Sequence, residues 1–368
     1  MGFFNKDETF IIAELSGNHL QNLNKAKELI KSAYESGTNA IKIQTYTPNT
    51  ISMDLRGVKK EIKEKYHKVK IDHPDWKGMS YNKLYEKAYT PWNWHSELNK
   101  VAKNYGLILF SSPFDFTAVD FLEEQNVPIY KIASYDVINL PLIRKIAQTK
   151  KPVIMSVGMA SEEEIKEAIE TLKENGCPEF AILHCVSSYP TATKDLNLSK
   201  IKDLGKKYNC VVGFSDHSLD INSPAMAVLC GAKIIERHLI LNRKEGGPDA
   251  SFSSEPMEFK KFVNKVRNVE NKKLNQKEIE KMFPEFKLAY GNVIYGPINN
   301  FEKKGIEIRP SIWTNKEIKK NEIIKMDSLK IVRPGNGLKP KYYDEILGKK
   351  AKQDIDKGIP LSWDLIEG

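Results

Sequence analysis

Short apolar runs alternate with amphipathic stretches from near the start of the chain. "FIIAEL" (10–15) precedes "NLNKAKELIKSAYESG" (22–37), and "AIKIQTY" (40–46) precedes, after an interruption, "PWNWHSELNKVAKNYG" (91–106). "LILFSSPF" (107–114) leads into "FTAVDFLEEQN", and "IYKIAS" (129–134) into "LPLIRKIAQTK". "PVIMSVG" (152–158) is followed by "SEEEIKEAIETLKENG", where Ser161 caps a helix whose first turn carries Glu162 to Glu164. "FAILHCV" (180–186) precedes "NLSKIKDLGKKY", "VVGFSD" precedes "SPAMAVLCGA", and "KIIERHL" precedes "EPMEFKKFVNKVRNVEN". Near-continuous apolar strands separated by helices imply a parallel sheet covered by helices. Eight such units match an α/β chain folded as a (β/α)8 TIM barrel, in count and in size. A doubly wound open sheet is the alternative, but its phosphate-binding glycine fingerprint is missing.

Three stretches depart from this rhythm. Residues 47–90, with "KYHKVKIDHPDWKGMSYNKLYEKAYTP", are too long for a simple loop and are expected to cross the barrel mouth. Residues 273–304 read as a linker. From about 305 the texture changes to short strand-like runs with turn signals such as "RPGNG", which implies a compact second domain over 305–368, after a catalytic barrel over 1–272.

Composition narrows the functional classes. The 368 residues carry 57 Lys+Arg against 48 Asp+Glu, a net charge of +9. The lysines lie among glutamates, as solvated helix faces have them, so nucleic-acid binding is not expected. A modest positive field still attracts an anionic substrate. No apolar run approaches the ~20 residues that span a bilayer, and the first residues lack a signal-peptide pattern or a complete myristoylation motif. A cytoplasmic protein without a membrane partner is the expectation. Cys177, Cys185, Cys210 and Cys230 show no CxxC spacing and are expected to be free thiols.

A barrel of this kind places its active site at the C-terminal ends of the strands. Reading those ends in order gives Glu14, then Lys42 with Gln44, then Ser111 with Ser112, then Lys131 with Ser134, then Ser156. His184 with Ser187 and Tyr189 follow, then Ser215, Asp216 and His217, and finally Glu236 with His238. Two lysines and several hydroxyls converging on one rim supply the charge and directional donors that a phosphate ester or carboxylate needs. His217 and His238 end adjacent strands, where two neutral imidazoles with waters or substrate oxygens can hold a divalent cation such as Mn2+. Two hydrogen-bonded structural histidines are the alternative from the pair alone. Asp216 or Glu236 could join as ligand or as support, and His19 could reach the mouth or stay in its loop. His67, His73 and His95 look peripheral. In "GGPDAS" (246–251), Asp249 could face polyol hydroxyls or simply make a turn.

Together the runs "IIAELSGNH", "AIKIQTYTP", "SSPFD", "YKIAS", "KPVIMSVGMAS", "LHCVSSYPT", "GFSDHS" and "IERHL" resemble the nonulosonic (sialic) acid synthase family. The tail "VRPGNGLKPKYYDEILGKKAKQDIDKG" is similar to that family's antifreeze-like (SAF) domain. The resemblance implies condensation of phosphoenolpyruvate with an open-chain acetamido sugar and water, releasing phosphate. It assigns Lys42, Ser112, Lys131, Ser134, Ser156, Ser187 and Ser215 to phosphoenolpyruvate, and His217 with His238 to a divalent metal, Mn2+ or Mg2+. It assigns catalytic roles to Glu14, Tyr189 and Glu236, and sugar contacts to Gln44 and Asp249. It also implies a domain-swapped homodimer in which an arginine of the C-terminal domain reaches the partner's sugar site. In "EIRPSIW" the candidate is Arg309, with Pro310 standing before Ser311. Within the family, "QTYTPNTISMD" and "AYTPWNWH" look most like pseudaminic acid synthases, which use 6-deoxy-2,4-diacetamido-L-altrose, whereas "RPGNG" is similar to sialic and legionaminic acid synthases.

Two other functions are weighed. A different aldolase-type barrel would lack the small C-terminal domain and could use Lys42 or Lys131 as a Schiff base, which borohydride would trap. A non-catalytic carbohydrate-binding or ice-binding barrel would not need a polar group at every strand end.

Overall fold

The computed structural model describes residue 4 and residues 8–69 and 78–367; His73 lies outside them. Eight parallel strands close into a barrel in sequence order: β1 Phe10–Glu14, β2 Ala40–Thr45, β3 Ile108–Pro113, β4 Tyr130–Ile132, β5 Val153–Ser156, β6 Phe180–Cys185, β7 Val211–Asp216 and β8 Ile234–His238. A helix follows each strand, from Leu23–Glu35 after β1 to Pro256–Val269 after β8. The local signals explain the helix starts. Ser161 accepts from the Glu164 amide while the Glu164 carboxylate accepts from the Ser161 amide, and the side chains of Asn22 and Asp115 cap their helices by accepting from first-turn amides alone.

Strand alternation divides the core in two. Phe10, Ile12, Ala40, Phe110, Ile129, Ile154, Ala181, Leu183 and Ile234 form a cluster that fills the barrel interior. Their neighbours in sequence, such as Ile11, Ala13, Ile41, Ile43, Met155 and Ile235, belong to the larger cluster shared with the helices. Gly213 is required where β7 meets β8, because a Cβ there would lie 2.4 Å from the Ile234 carbonyl oxygen.

The crossing segment holds helices Pro48–Ile51, Lys60–Tyr66 and Tyr81–Ala88. The stretch read as a linker is partly helical, with turns at Gln276–Met282, Phe286–Tyr290 and Asn300–Gly305. The C-terminal unit pairs β9 Ser311–Thr314 with β10 Leu329–Val332 and has its own apolar core around Ile312, Ile318, Leu329, Ile346 and Leu361. It docks on the crossing segment. Trp313 is fully buried with His67 and Tyr66 against it, and Lys59 pairs with Asp356 at 2.7 Å. All four cysteines are free, and no helix among the described residues is long and apolar enough to cross a membrane.

Three packing histidines carry a pH signature. Burial pushes His19 and His95 down to about 4 and His184 to about 3. Unfolded imidazoles titrate near 6.5, so the unfolded chain takes up protons that the fold refuses, and this part of the stability is lost as pH falls below about 6.5. His184→Gln is expected to flatten the slope of stability against pH by up to about 1.4 kcal/mol per unit in that acid range. Urea midpoints in a pH series read this directly; an unaltered slope would mean that His184 takes its proton in the fold.

Candidate active site

The inward parity of seven of the eight strands changes from apolar to polar near the C-terminal end, while β6 ends inward on Cys185. Ile12 gives way to Glu14, Ala40 to Lys42 and Gln44, and Phe110 to Ser112. Ile129 gives way to Lys131, Ile154 to Ser156, Gly213 to Ser215, and Ile234 to Glu236 and His238. Register then brings these groups together, with Glu14 beside both Lys42 and His238, and Ser215 beside Glu236.

The floor is a buried charge network. Lys42 Nζ lies 2.6 Å from Glu14 Oε2 and 3.7 Å from Glu236 Oε1. Gln44 Nε2 donates to Glu14 Oε1 at 2.8 Å, and the Ser215 hydroxyl donates to Glu236 Oε1 at 3.1 Å. Lys131 Nζ donates to Ser156 Oγ at 2.6 Å and to the Ile132 carbonyl at 2.9 Å. Burial pushes Glu14 above the usual carboxylate range despite Lys42. Burial would do the same to Glu236, but Lys131 and Lys42 outweigh it and hold that carboxyl below its ordinary value. For Lys42, burial is outweighed by Glu14 and Glu236, so its ammonium is reinforced, whereas burial lowers Lys131. Two carboxyls on one floor are therefore driven apart: Glu14 toward holding a proton, Glu236 toward giving one up.

The histidine pair sits above this floor. The rings of His217 and His238 are 5.6 Å apart, with Tyr189 4.7 Å from His217 and Phe252 4.9 Å from His238. His217 donates Nδ1–H to the Val186 carbonyl at 2.9 Å, which leaves Nε2 with its lone pair. Burial lowers both imidazoles, His238 the more strongly, so both are neutral near pH 7. His238 Nδ1 and Glu236 Oε2 are buried without a hydrogen-bond partner. No group of three or more histidine, cysteine or carboxylate side chains gathers around one point among the described residues. The orphaned atoms and two neutral imidazoles fit a divalent cation that completes its shell with water and substrate oxygens.

One cavity joins these features. Lys42, Lys131, Ser134, Ser156 and Ser215 line it, as do Gln44, Tyr189, His217, Glu236, His238 and Asp249. Burial raises Asp249, whose carboxylate accepts from the Ser16 hydroxyl. Four of the expected residues stand elsewhere. Glu14 is fully buried beneath Lys42 and Gln44, and the buried Ser112 hydroxyl has no partner and does not reach the cavity surface. Ser187 lies behind Ser134, with their hydroxyls 3.0 Å apart, and its amide donates to Glu302. Arg309 does not reach the cavity of its own chain: it donates to Glu164 Oε2 at 2.9 Å and to the Met159 carbonyl at 2.8 Å. Asp216 points away from the histidines toward the helices, where Arg237 Nη1 binds it at 2.7 Å, with Ser218, Ser223 and Ser254 completing the cluster. It supports His217 through the backbone and is no candidate ligand. His19 bonds to Thr90 and packs on Trp94, outside the cavity. His184 is likewise turned away, toward the Leu196 carbonyl.

Comparison with known proteins decides the family. The NeuB family model matches residues 29–279, and the SAF domain model matches residues 309–367. The chain belongs to the NeuB family. It is 40% identical over 364 residues to the pseudaminic acid synthase of Campylobacter jejuni serotype O:23/36, covering 98% of each chain. It is 37% identical over 358 residues to the pseudaminic acid synthase of Helicobacter pylori, covering 97% of each. Among solved structures, the spore coat polysaccharide biosynthesis protein SpsE of Bacillus subtilis superposes with a TM-score of 0.80 at 28% identity, covering 98% of this chain and 96% of that one.

In this NeuB-family chain the sequence reading missed two charged groups near the mouth. Arg333, in "RPGNG", enters the cavity from the C-terminal unit, donating to Asp136 Oδ2 at 2.7 Å and to the Tyr85 hydroxyl at 3.0 Å. The rings of Tyr85, Phe114 and Tyr135 surround its guanidinium. Glu302, in the linker helix, accepts from the Ser187 and Ile298 amides. The arginine beside a turn motif was a signal in the first case; nothing in the local pattern marked the second. Because both partners are buried, Arg333→Met alone is expected to cost about 3–5 kcal/mol by stranding Asp136, with Asp136→Asn in the same chain restoring much of it. A double-mutant cycle on thermal or urea unfolding reads that coupling; additive effects would remove the pair from the docking interface.

Proposed function

We propose that this chain condenses phosphoenolpyruvate with 6-deoxy-2,4-diacetamido-L-altrose and water, giving pseudaminic acid and phosphate. One observation carries the reading: an anion-binding floor of Lys42, Lys131, Ser156 and Ser215 shares a cavity with the neutral His217–His238 pair. Its relatives at 40% and 37% identity bear the corresponding name.

His217 and His238 would hold a divalent cation, Mn2+ or Mg2+, which supplies Lewis acidity toward the sugar aldehyde. Lys42, Lys131 and the hydroxyls of Ser134, Ser156 and Ser215 bind the phosphate and carboxylate of phosphoenolpyruvate. Gln44, Asp249 and Tyr189 orient the open-chain sugar. C3 of phosphoenolpyruvate bonds to the aldehyde carbon, and the aldehyde oxygen becomes a hydroxyl by taking a proton from the Lys42 ammonium, which lines the cavity and is resupplied from Glu14 beneath it at 2.6 Å. Water adds at C2 and gives a proton to Glu236, the carboxyl that Lys131 and Lys42 keep ionised. The C2–O bond to phosphate then breaks, the C2 hydroxyl proton leaves with phosphate, and the ketone remains. Lys42, in contact with both carboxyls, lies on the route by which the proton returns from Glu236 to Glu14. Ser112 and Ser187 back this floor rather than touching substrate.

The reading places the enzyme in the cytoplasm as a homodimer. Exchange of C-terminal units would let each copy's Arg333 enter the other's mouth through the same surface used here. Light scattering should then give twice the 42.0 kDa chain mass.

Phosphate release is the primary test, with the altrose sugar, its legionaminic-type diacetamido counterpart and N-acetylmannosamine compared with and without chelator. The altrose sugar should be preferred, chelator should abolish turnover, and His217→Ala or His238→Ala should do the same in a folded protein. Preference for another sugar would change the subclass; near-normal turnover in either histidine variant would remove the metal assignment.

A further inference from the structure

The cavity is polar on its floor and apolar on one side. Helix Tyr81–Ala88 turns Tyr81, Leu84, Tyr85 and Ala88, spaced i, i+3, i+4 and i+7, toward the cavity, while Asn82, Lys83, Glu86 and Lys87 face away. Ser80 caps this helix by accepting from the Lys83 amide. Val69, also from the crossing segment, and Ile308, from the approach to the C-terminal unit, extend the same surface. An amphipathic helix normally spends its apolar face on the protein core. Here that face packs in a buried apolar cluster and its remaining edge borders the cavity that holds Lys42 and Lys131, so whatever fills the cavity meets apolar side chains on that side.

An all-hydroxyl sugar would lose water against this wall without gaining partners. The floor and the histidine pair take the aldehyde end, so the chain of a six-carbon sugar runs outward and its far half meets the wall. We infer that Leu84, Ala88, Val69 and Ile308 determine specificity by receiving the methyl groups on the distal half of the sugar, those of C6 and of the C4 acetamido group. This rests on the sugar class proposed above and adds the residues that select it. It also gives the crossing segment a role beyond covering the mouth: the same helix that carries Leu84 carries Tyr85, which Arg333 binds, so docking of the C-terminal unit fixes the wall in place.

The test compares kcat/KM for 6-deoxy-2,4-diacetamido-L-altrose with that for its 6-hydroxy analogue, in the wild type, Leu84→Asn and Val69→Thr. The wild type should favour the 6-deoxy sugar by about 10-fold to 100-fold, the range one methyl contact commands. Each variant should bring the two sugars to within about threefold, mainly through KM for the 6-deoxy sugar, with KM for phosphoenolpyruvate unchanged. A merely structural defect would slow both sugars alike and leave their ratio untouched, and that result overturns the inference. Val69→Thr keeps the shape of the side chain and decides the matter if Leu84→Asn does not fold. A wild type that uses both sugars equally overturns the inference alone; one that uses neither overturns the functional reading and this inference with it.

Discussion

Burying charge on the barrel floor is the constraint on which the rest depends. Lys42, Glu14, Glu236 and Lys131 lie within a few residues of an all-apolar interior, each at most 5% exposed. Singly, each would cost several kcal/mol; together they compensate one another, and the compensation is unequal. Glu14 has one near cation and is raised, while Glu236 is shared by two lysines and is lowered. That inequality sets the two carboxyls apart in proton affinity. It also leaves the lysines and hydroxyls available to an anion, because neither carboxyl alone neutralises both ammonium groups.

The histidine pair depends on a second buried network on the other side of the same strands. Asp216 and Arg237 are the immediate neighbours of His217 and His238, and strand alternation turns them outward. Their 2.7 Å contact, reinforced by the Ser218 and Asp220 carbonyls, ties β7 to β8 just where the imidazoles project inward. Gly213 permits the close approach of these strands one turn of the pleat below. The separation of the imidazoles is thus set by bonds that face away from them.

Much of this was legible in the sequence because strand parity is a local property. A run such as "AIKIQ" states that Lys42 and Gln44 share the face of Ala40, and "IIERH" does the same for Glu236 and His238. The eight strands, the helices after them and the cavity-lining lysines, serines and histidines followed from that. Residues beyond the strand ends were not legible in this way. Ser187 comes from a strand-end motif, yet the loop path turns it behind Ser134, whereas Asp216 lies within β7 and its parity alone turns it to the helices. Arg309 and Arg333 flank β9 and β10, and which of them enters the mouth depends on how a separate unit docks, a matter of tertiary contacts with Asp136, Tyr85 and Glu164. The linker carboxylate Glu302 is of the same kind. Its importance lies in two amides that belong to distant parts of the chain.

The roof of the cavity comes from three places: the crossing segment, the linker with Ile308, and Arg333 of the C-terminal unit. Among the described residues no covalent cross-link joins these pieces; side-chain pairs, apolar packing, an isolated bridge between Ser52 and Arg333 and the Gly335 amide on the Glu307 carbonyl hold them together. The upper wall of the cavity is thus a joint product of separately folded pieces, so a loosened Arg333–Asp136 pair at the docking surface is felt at Tyr85 and the helix that carries it, while the barrel strands and the charged floor stay as they are.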